Sequence, residues 1–204
     1  MASRPSVKPR AVPGSVTPLL RQQYQLRIEL KHVEPLVWRR IVVPQNVTLQ
    51  KLHPILLWAM GWQGGHLHEF EIARLHYGMP PDEDWPDNRP VLDESRFKLS
   101  SFIETGLRRF KYIYDFGDYW EHAVVVEGMH HRDPGSQPVA CLAGENACPP
   151  EDVGGAPGYV EFLTAIQDPT HEEHADLLQW VGGSFDPTAF DLADINHRLA
   201  EIKA

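Results

Sequence analysis

The sequence predicts an α+β domain: a largely antiparallel sheet with helices packed on one face and a helical C-terminal third. Three observations predict it. The stretch "YQLRIEL" at 24–30 alternates apolar and polar residues with the period of a half-buried strand. The stretch "NVTLQKLHPILLWAMGW" at 46–62 carries Leu49, Leu52, Leu56 and Ala59 as a helical stripe. The order of elements is two strands, a helix, a strand, a short helix, two strands and then helices, which suits an antiparallel sheet with helices set against it.

Each element has a local reason. Tyr24, Leu26, Ile28 and Leu30 make one face of the first strand, and "EP" at 34–35 turns the chain. "LVWRRIVVP" forms the second strand and stops at Pro44, which has no N–H to give a ladder. Thr48 is placed to cap the first helix and Gly61 to end it. Pro54 lies inside that helix, where it removes a hydrogen bond and favours a bend. "HLHEFEIARL" reads as a third strand with His66, His68, Phe70 and Ile72 on one face. Residues 78–94 form an acidic, proline-rich loop, a lid or an excursion. "KLSSFIETG" is a short helix closed by Gly106, and "RRFKYIYDFGDYWEHAVVVEG" is a hairpin. Pro157 opens a helix that ends at Asp168-Pro169. Thr170 and Glu173 have capping-box spacing, and Leu192, Ile195, Leu199 and Ile202 stripe the last helix.

Composition narrows the function classes. The chain has 204 residues, enough for one domain with a real core, and 42% are hydrophobic. Residues 1–21 hold prolines and basic residues with no acid, and read as a disordered basic tail; residues 22–204 read as a single domain. The net charge of −9 disfavours DNA binding by the folded part, because phosphate neutralisation needs clustered Lys and Arg. No apolar run approaches the roughly 20 residues that span a bilayer, and the N-terminus lacks an apolar signal core, so no membrane partner and a cytoplasmic location are expected. Cys141 and Cys148 are too few for a disulfide scaffold; they read as small semi-buried residues, with a two-cysteine metal clip as the alternative.

The polar chemistry gathers in two places. "YDFGDYWEH" at 114–122 sets Asp115, Asp118, Trp120 and His122 around a turn. Asp and Gly make turns without any function, since Asp bonds its own backbone and Gly117 accepts a positive φ. The second reading is a ligand cleft of His68, Glu69, Asp115, Asp118, Trp120, His122, Glu151 and Asp152. Within it, His66, His68, Asp115, Asp118 and His122 form a candidate metal set, because mixed imidazole and carboxylate donors suit zinc, manganese or iron. No other cofactor is expected. "PPEDVGGAPGY" is the second polar knot: its backbone N–H groups could hold an anion, but Glu151 and Asp152 favour capping of the helix that follows. Trp38, Trp58, Trp62 and Trp120 read as core or rim aromatics, or as the walls of a groove. "DFG" invites comparison with kinases, but no Gly-rich loop or H-R-D accompanies it.

Together "GWQGGHLHEFEI", "YIYDFGDYWEH" and "CPPEDVGGAPGYVEFL" resemble the plasmid pRiA-type ORF-three-like proteins, a family named after an open reading frame of a root-inducing plasmid. The resemblance covers roughly residues 22–200. It implies an α+β fold of its own type and, through members labelled TnpR or passenger protein, an association with mobile elements; it implies no established activity. A cysteine often precedes the Gly pair in the family pattern, where this chain has Val153, so a cysteine metal centre would lack a ligand here. The TnpR label suggests a resolvase, yet "YQLRIEL" offers no nucleophilic serine, and Ser3, Ser6 and Ser15 lie in the tail. The expected function is a mobile-element-associated binding or interaction module with a polar cleft for a small molecule or protein. A metal-dependent hydrolase is the alternative, and a nucleic-acid accessory protein acting through its tail is a weaker one.

Overall fold

The computed structural model describes residues 22–80 and 89–202, and the structural statements below concern those residues. The tail read over residues 1–21 and the centre of the 78–94 loop lie outside them. The elements in chain order are β1 (Gln22–Leu30), β2 (Trp38–Pro44), α1 (Leu49–Met60), β3 (His68–Ile72), β4 (Leu75–Gly78) and β5 (Val91–Asp93). A 3-10 turn (Glu94–Arg96), α2 (Leu99–Glu104), β6 (Arg109–Tyr114), β7 (Trp120–His131) and β8 (Ala140–Glu145) follow, then α3 (Gly155–Gln167), α4 (His174–Trp180) and α5 (Leu192–Leu199). The strands form one mixed eight-stranded sheet in the order β5-β4-β3-β6-β7-β1-β2-β8. All neighbours run antiparallel except β4 and β5.

The alternation in β1 does what its period demands. Tyr24, Leu26, Ile28 and Leu30 are buried, as are Ile41 and Val43 of β2 and Trp120, His122 and Val124 of β7. The opposite face carries charge: Arg40 meets Glu127 at 2.6 Å, and Lys111 lies between Glu71 and Glu121. One wet face and one packed face is the usual economy of an antiparallel sheet.

Helix α1 lies on the packed face. Thr48 accepts a hydrogen bond from Lys51 N, and Gly61 closes the helix at φ 116°. Pro54 stays inside the helix, where it costs about 3 kcal/mol. Seven buried side chains, Leu49 to Met60, outweigh that cost at about 1.5–3 kcal/mol for each large apolar one. Arg39, on the inward face of β2, donates to Ala59 O and so meets the end of α1.

Three local expectations change. The third strand starts at His68, so His66 belongs to the preceding loop. Thr170 spends its hydroxyl on Asp168 Oδ1, and Glu173 caps α4 without a side-chain bond, so the capping box does not form. The last third of the chain opens with a strand, β8, before its three helices.

Candidate functional site

The hairpin between β6 and β7 is built by its own turn chemistry. Asp115 sits at φ 57° and accepts Gly117 N on Oδ1 at 2.8 Å, while its backbone N–H donates to Leu67 O. That accounts for one carboxylate oxygen of Asp115. The other, Oδ2, lies 3.4 Å from His66 Nδ1.

His66 comes from the Gly-rich loop between α1 and β3. Gly64 and Gly65 hold φ 101° and 133°, which lets the chain turn out of α1 and deliver the imidazole to the hairpin. Its other nitrogen, Nε2, lies 3.2 Å from Asp152 Oδ1. The ring therefore sits between two carboxylates from two distant segments. Ligand atoms from His66, Asp115 and Asp152 all fall within 4.8 Å of one another. Among the described residues this is the one such group of three or more His, Cys, Asp or Glu side chains.

The "PPED" segment is fastened to the same corner. Tyr114 donates its hydroxyl to Glu151 Oε1 at 2.7 Å, and Gln63 and Gly64 N–H groups also donate to that carboxylate. Burial first, and the Glu151 carboxylate second, push the Tyr114 hydroxyl well above its usual range. Trp62 donates its indole N–H to Pro149 O and packs against Tyr114 and Trp120. Asp118 Oδ2 accepts Gly154 N at 3.2 Å. A side chain at Gly155 would run into Asp118 O, and Gly155 has φ 69°, so only glycine allows this approach.

The candidate residues therefore divide. His66 and Asp115 meet, and Asp152 joins them. Asp118 and Glu151 stand in the same corner but are held by backbone and Tyr114 donors. Neither Glu151 nor Asp152 caps α3, whose N-cap is Gly154 without a side-chain bond. Trp120 lies in the core, 1% exposed. His68, His122 and Glu69 point elsewhere, so the five-residue metal set does not assemble. His68 Nε2 lies 2.9 Å from Glu94 Oε2, and its ring stacks on His53 at 3.4 Å. His53 Nδ1 lies 2.7 Å from Tyr112 Oη. Burial, and then the neighbouring His68, push His53 down to about 3. His122 Nδ1 lies 3.2 Å from Tyr112 O, an acceptor, so Nδ1 carries the proton and the buried Nε2 has no partner. Burial pushes His122 down to about 4. Glu69 faces the other side of the sheet and pairs with Arg89 at 2.8 Å.

Sequence reasoning missed His53, Glu94 and Tyr114. Tyr114 stood inside the quoted motif but looked like an ordinary strand residue. The tryptophans do not form one groove: Trp62 joins Trp120 in the core, while Trp38 lies under the Arg27 guanidinium at 4.1 Å. A groove of about 440 Å³ is lined by Arg39, Trp62, Cys148, Glu151, Phe190 and Arg198 among others, and by none of His66, Asp115 and Asp152. Cys141 and Cys148 are both free thiols, and burial raises both.

Residues 22–194 match the family model described as plasmid pRiA4b ORF-3-like protein. The chain belongs to that family. Among its relatives is the uncharacterized protein y4hQ of Sinorhizobium fredii (strain NBRC 101917 / NGR234), 42% identical over 182 residues, which are 88% of this chain and 92% of y4hQ. A crystal structure of MM3350, a protein of unknown function from Methanosarcina mazei Go1, superposes with a TM-score of 0.76 at 36% identity. The match covers 86% of this chain and 98% of that one. MM3350 shares this chain's fold, and neither name carries an activity. Among the described residues, no helix of this family member is long and apolar enough to cross a membrane.

Proposed function

We propose that this ORF-3-like protein is a binding module whose cleft, at the corner between the α1–β3 loop, the β6–β7 hairpin and the "PPED" segment, takes a cationic ligand. The observation that carries this reading is His66, held between Asp115 and Asp152 with no Lys or Arg partner recorded for either carboxylate among the described residues. Glu151 and Asp118 add negative charge to the same corner. An acidic corner with polar groups from three segments selects cations over anions. Exposed Leu67, Phe116 and Tyr119 stand on these same segments and offer apolar contact beside the charge. A mobile-element setting belongs to the same reading and is supported by the plasmid origin of the family's namesake.

The hydrolase alternative has one observation in its favour, the His66–Asp115–Asp152 group, whose three protein ligands would leave positions open for water. The accessory-protein reading rests on residues 1–21, outside the described residues.

The test is a thermal-shift screen of diamines, guanidinium compounds and divalent metals against the wild-type chain and an Asp115→Asn, Asp152→Asn double variant. At least one cation should raise the wild-type Tm and lose that effect in the double variant. Stabilisation by anions alone, or by cations equally in both proteins, would end the proposal.

A further inference from the structure

We infer that the cleft holds one divalent transition-metal ion, bound by His66, Asp115 and Asp152; this rests on the cation-binding reading above and names its ligand. The donor set is one imidazole and two carboxylates, which suits manganese, iron or zinc better than magnesium or calcium, ions that prefer oxygen alone. The spacing fits as well. Two ligand atoms bound at about 2.1 Å to one metal lie roughly 3.0 to 3.4 Å apart in octahedral or tetrahedral geometry. His66 Nε2 and Asp152 Oδ1 are already 3.2 Å apart. The remaining edges lie within 4.8 Å; Asp115 Oδ2 now faces the other ring nitrogen, Nδ1, so binding requires His66 or Asp115 to turn until both carboxylates meet one nitrogen.

Neighbouring groups leave these donors available. Asp115 uses Oδ1 in its turn and keeps Oδ2 for the site. Asp152 is 70% exposed at its side chain and meets no recorded partner but His66. Glu151 and Asp118, by contrast, are occupied by hydrogen-bond donors and are not assigned as ligands. Among the described residues neither the Asp115 nor the Asp152 carboxylate pairs with a Lys or Arg, so no basic side chain competes with a metal for them. Three protein ligands also leave coordination positions open.

The experiment is titration of the purified full chain with Mn2+ alone, followed by electron paramagnetic resonance and by calorimetry. One ion per chain is expected. His66→Gln and Asp152→Asn should each weaken binding at least tenfold, while Asp118→Asn, in the same acidic corner, should change it less than threefold. Circular dichroism checks the fold of each variant, and Asp152→Asn stays informative if a buried-side variant misfolds. Absence of Mn2+ binding below millimolar concentrations overturns the inference. Equal losses in all three variants also overturn it, since diffuse acidic attraction would then explain the binding. If Mn2+ fails while a diamine still raises Tm and depends on Asp115 and Asp152, the metal falls and the cation-binding reading stands. If both fail, both fall.

Discussion

The histidines around β3 sit in two different settings, one packed under rings and one at the edge of the fold. Between α1 and the sheet, His53 of α1, His68 and His122 pack among Tyr112, Phe70 and Trp62. At the corner of the sheet, His66 is a third exposed at its side chain and faces two carboxylates. The same residue type therefore has two physical fates. His53 and His122, buried without a carboxylate partner, stay neutral and bind the fold to pH, whereas His66, a third exposed between two carboxylates, is available to a ligand. His68 and His66 are two residues apart, and one step off the strand separates them.

The largest expected effect tests the buried group. His53 and His122 titrate near 3 and 4 in the folded chain, below the value near 6.5 of an unfolded one. Below pH 6.5 the unfolded chain thus binds more protons, and stability falls as pH falls. Each imidazole contributes about 1.4 kcal/mol per pH unit until its folded value is reached, so His122 alone accounts for about 3 kcal/mol between pH 6.5 and 4. Urea unfolding at pH 7, 6, 5 and 4.5 should show this slope, and His122→Gln should reduce it by about one proton's worth. An unchanged slope in the variant would mean that His122 is charged in the fold, and the contrast between the two groups would dissolve.

A smaller effect tests the backbone that holds the exposed group. Gly155→Ala places a side chain against Asp118 O at a left-handed φ, and should cost about 2 to 3 kcal/mol in the urea midpoint. It should weaken cation binding in parallel, because "PPED" must back away from the hairpin. Full affinity with lowered stability would show that the corner adapts without this contact.

What the sequence made legible follows the same division. Period-two alternation in β1 and the cap at Thr48 were readable because local chemistry determined them. Strand β8, "ACLAGE", has no large alternating residues; it is held by pairing with β2 and by Asn196 of α5 bonding both N–H and C=O of Cys141. Strand β4 was hidden because its turn, Ala73-Arg74, takes two positive φ values without Gly or Asn. At the site, the polar motifs stood out, but side-chain direction did not. His66 and His68 share parity in the sequence, yet the strand begins between them. Asp152 looked like a cap, and only the fold brings it to His66.

The next effect is about 1.5 kcal/mol. Tyr114→Phe removes a hydrogen bond to a carboxylate, but Gln63 and Gly64 still satisfy Glu151. Its Tm should drop modestly, and its cation affinity should hold within threefold if Glu151 is an anchor rather than a ligand. A tenfold affinity loss would move Glu151 into the binding set.

The smallest effect separates the two histidine groups most directly. Asp152 is largely exposed, and its one recorded partner is His66, so the pair is worth little to the fold in water. Asp152→Asn and His66→Gln should therefore each shift stability by less than about 0.5 kcal/mol, against the marked change in pH slope for His122→Gln. Chemical unfolding at pH 7 without added metal gives the comparison. With Mn2+ present the wild type should gain stability by mass action, about 2.7 kcal/mol at one hundred times Kd, and both variants should gain far less. A loss above about 2 kcal/mol in metal-free buffer would place His66 and Asp152 among the structural residues, and the exposed histidine would then be doing the same work as the buried ones.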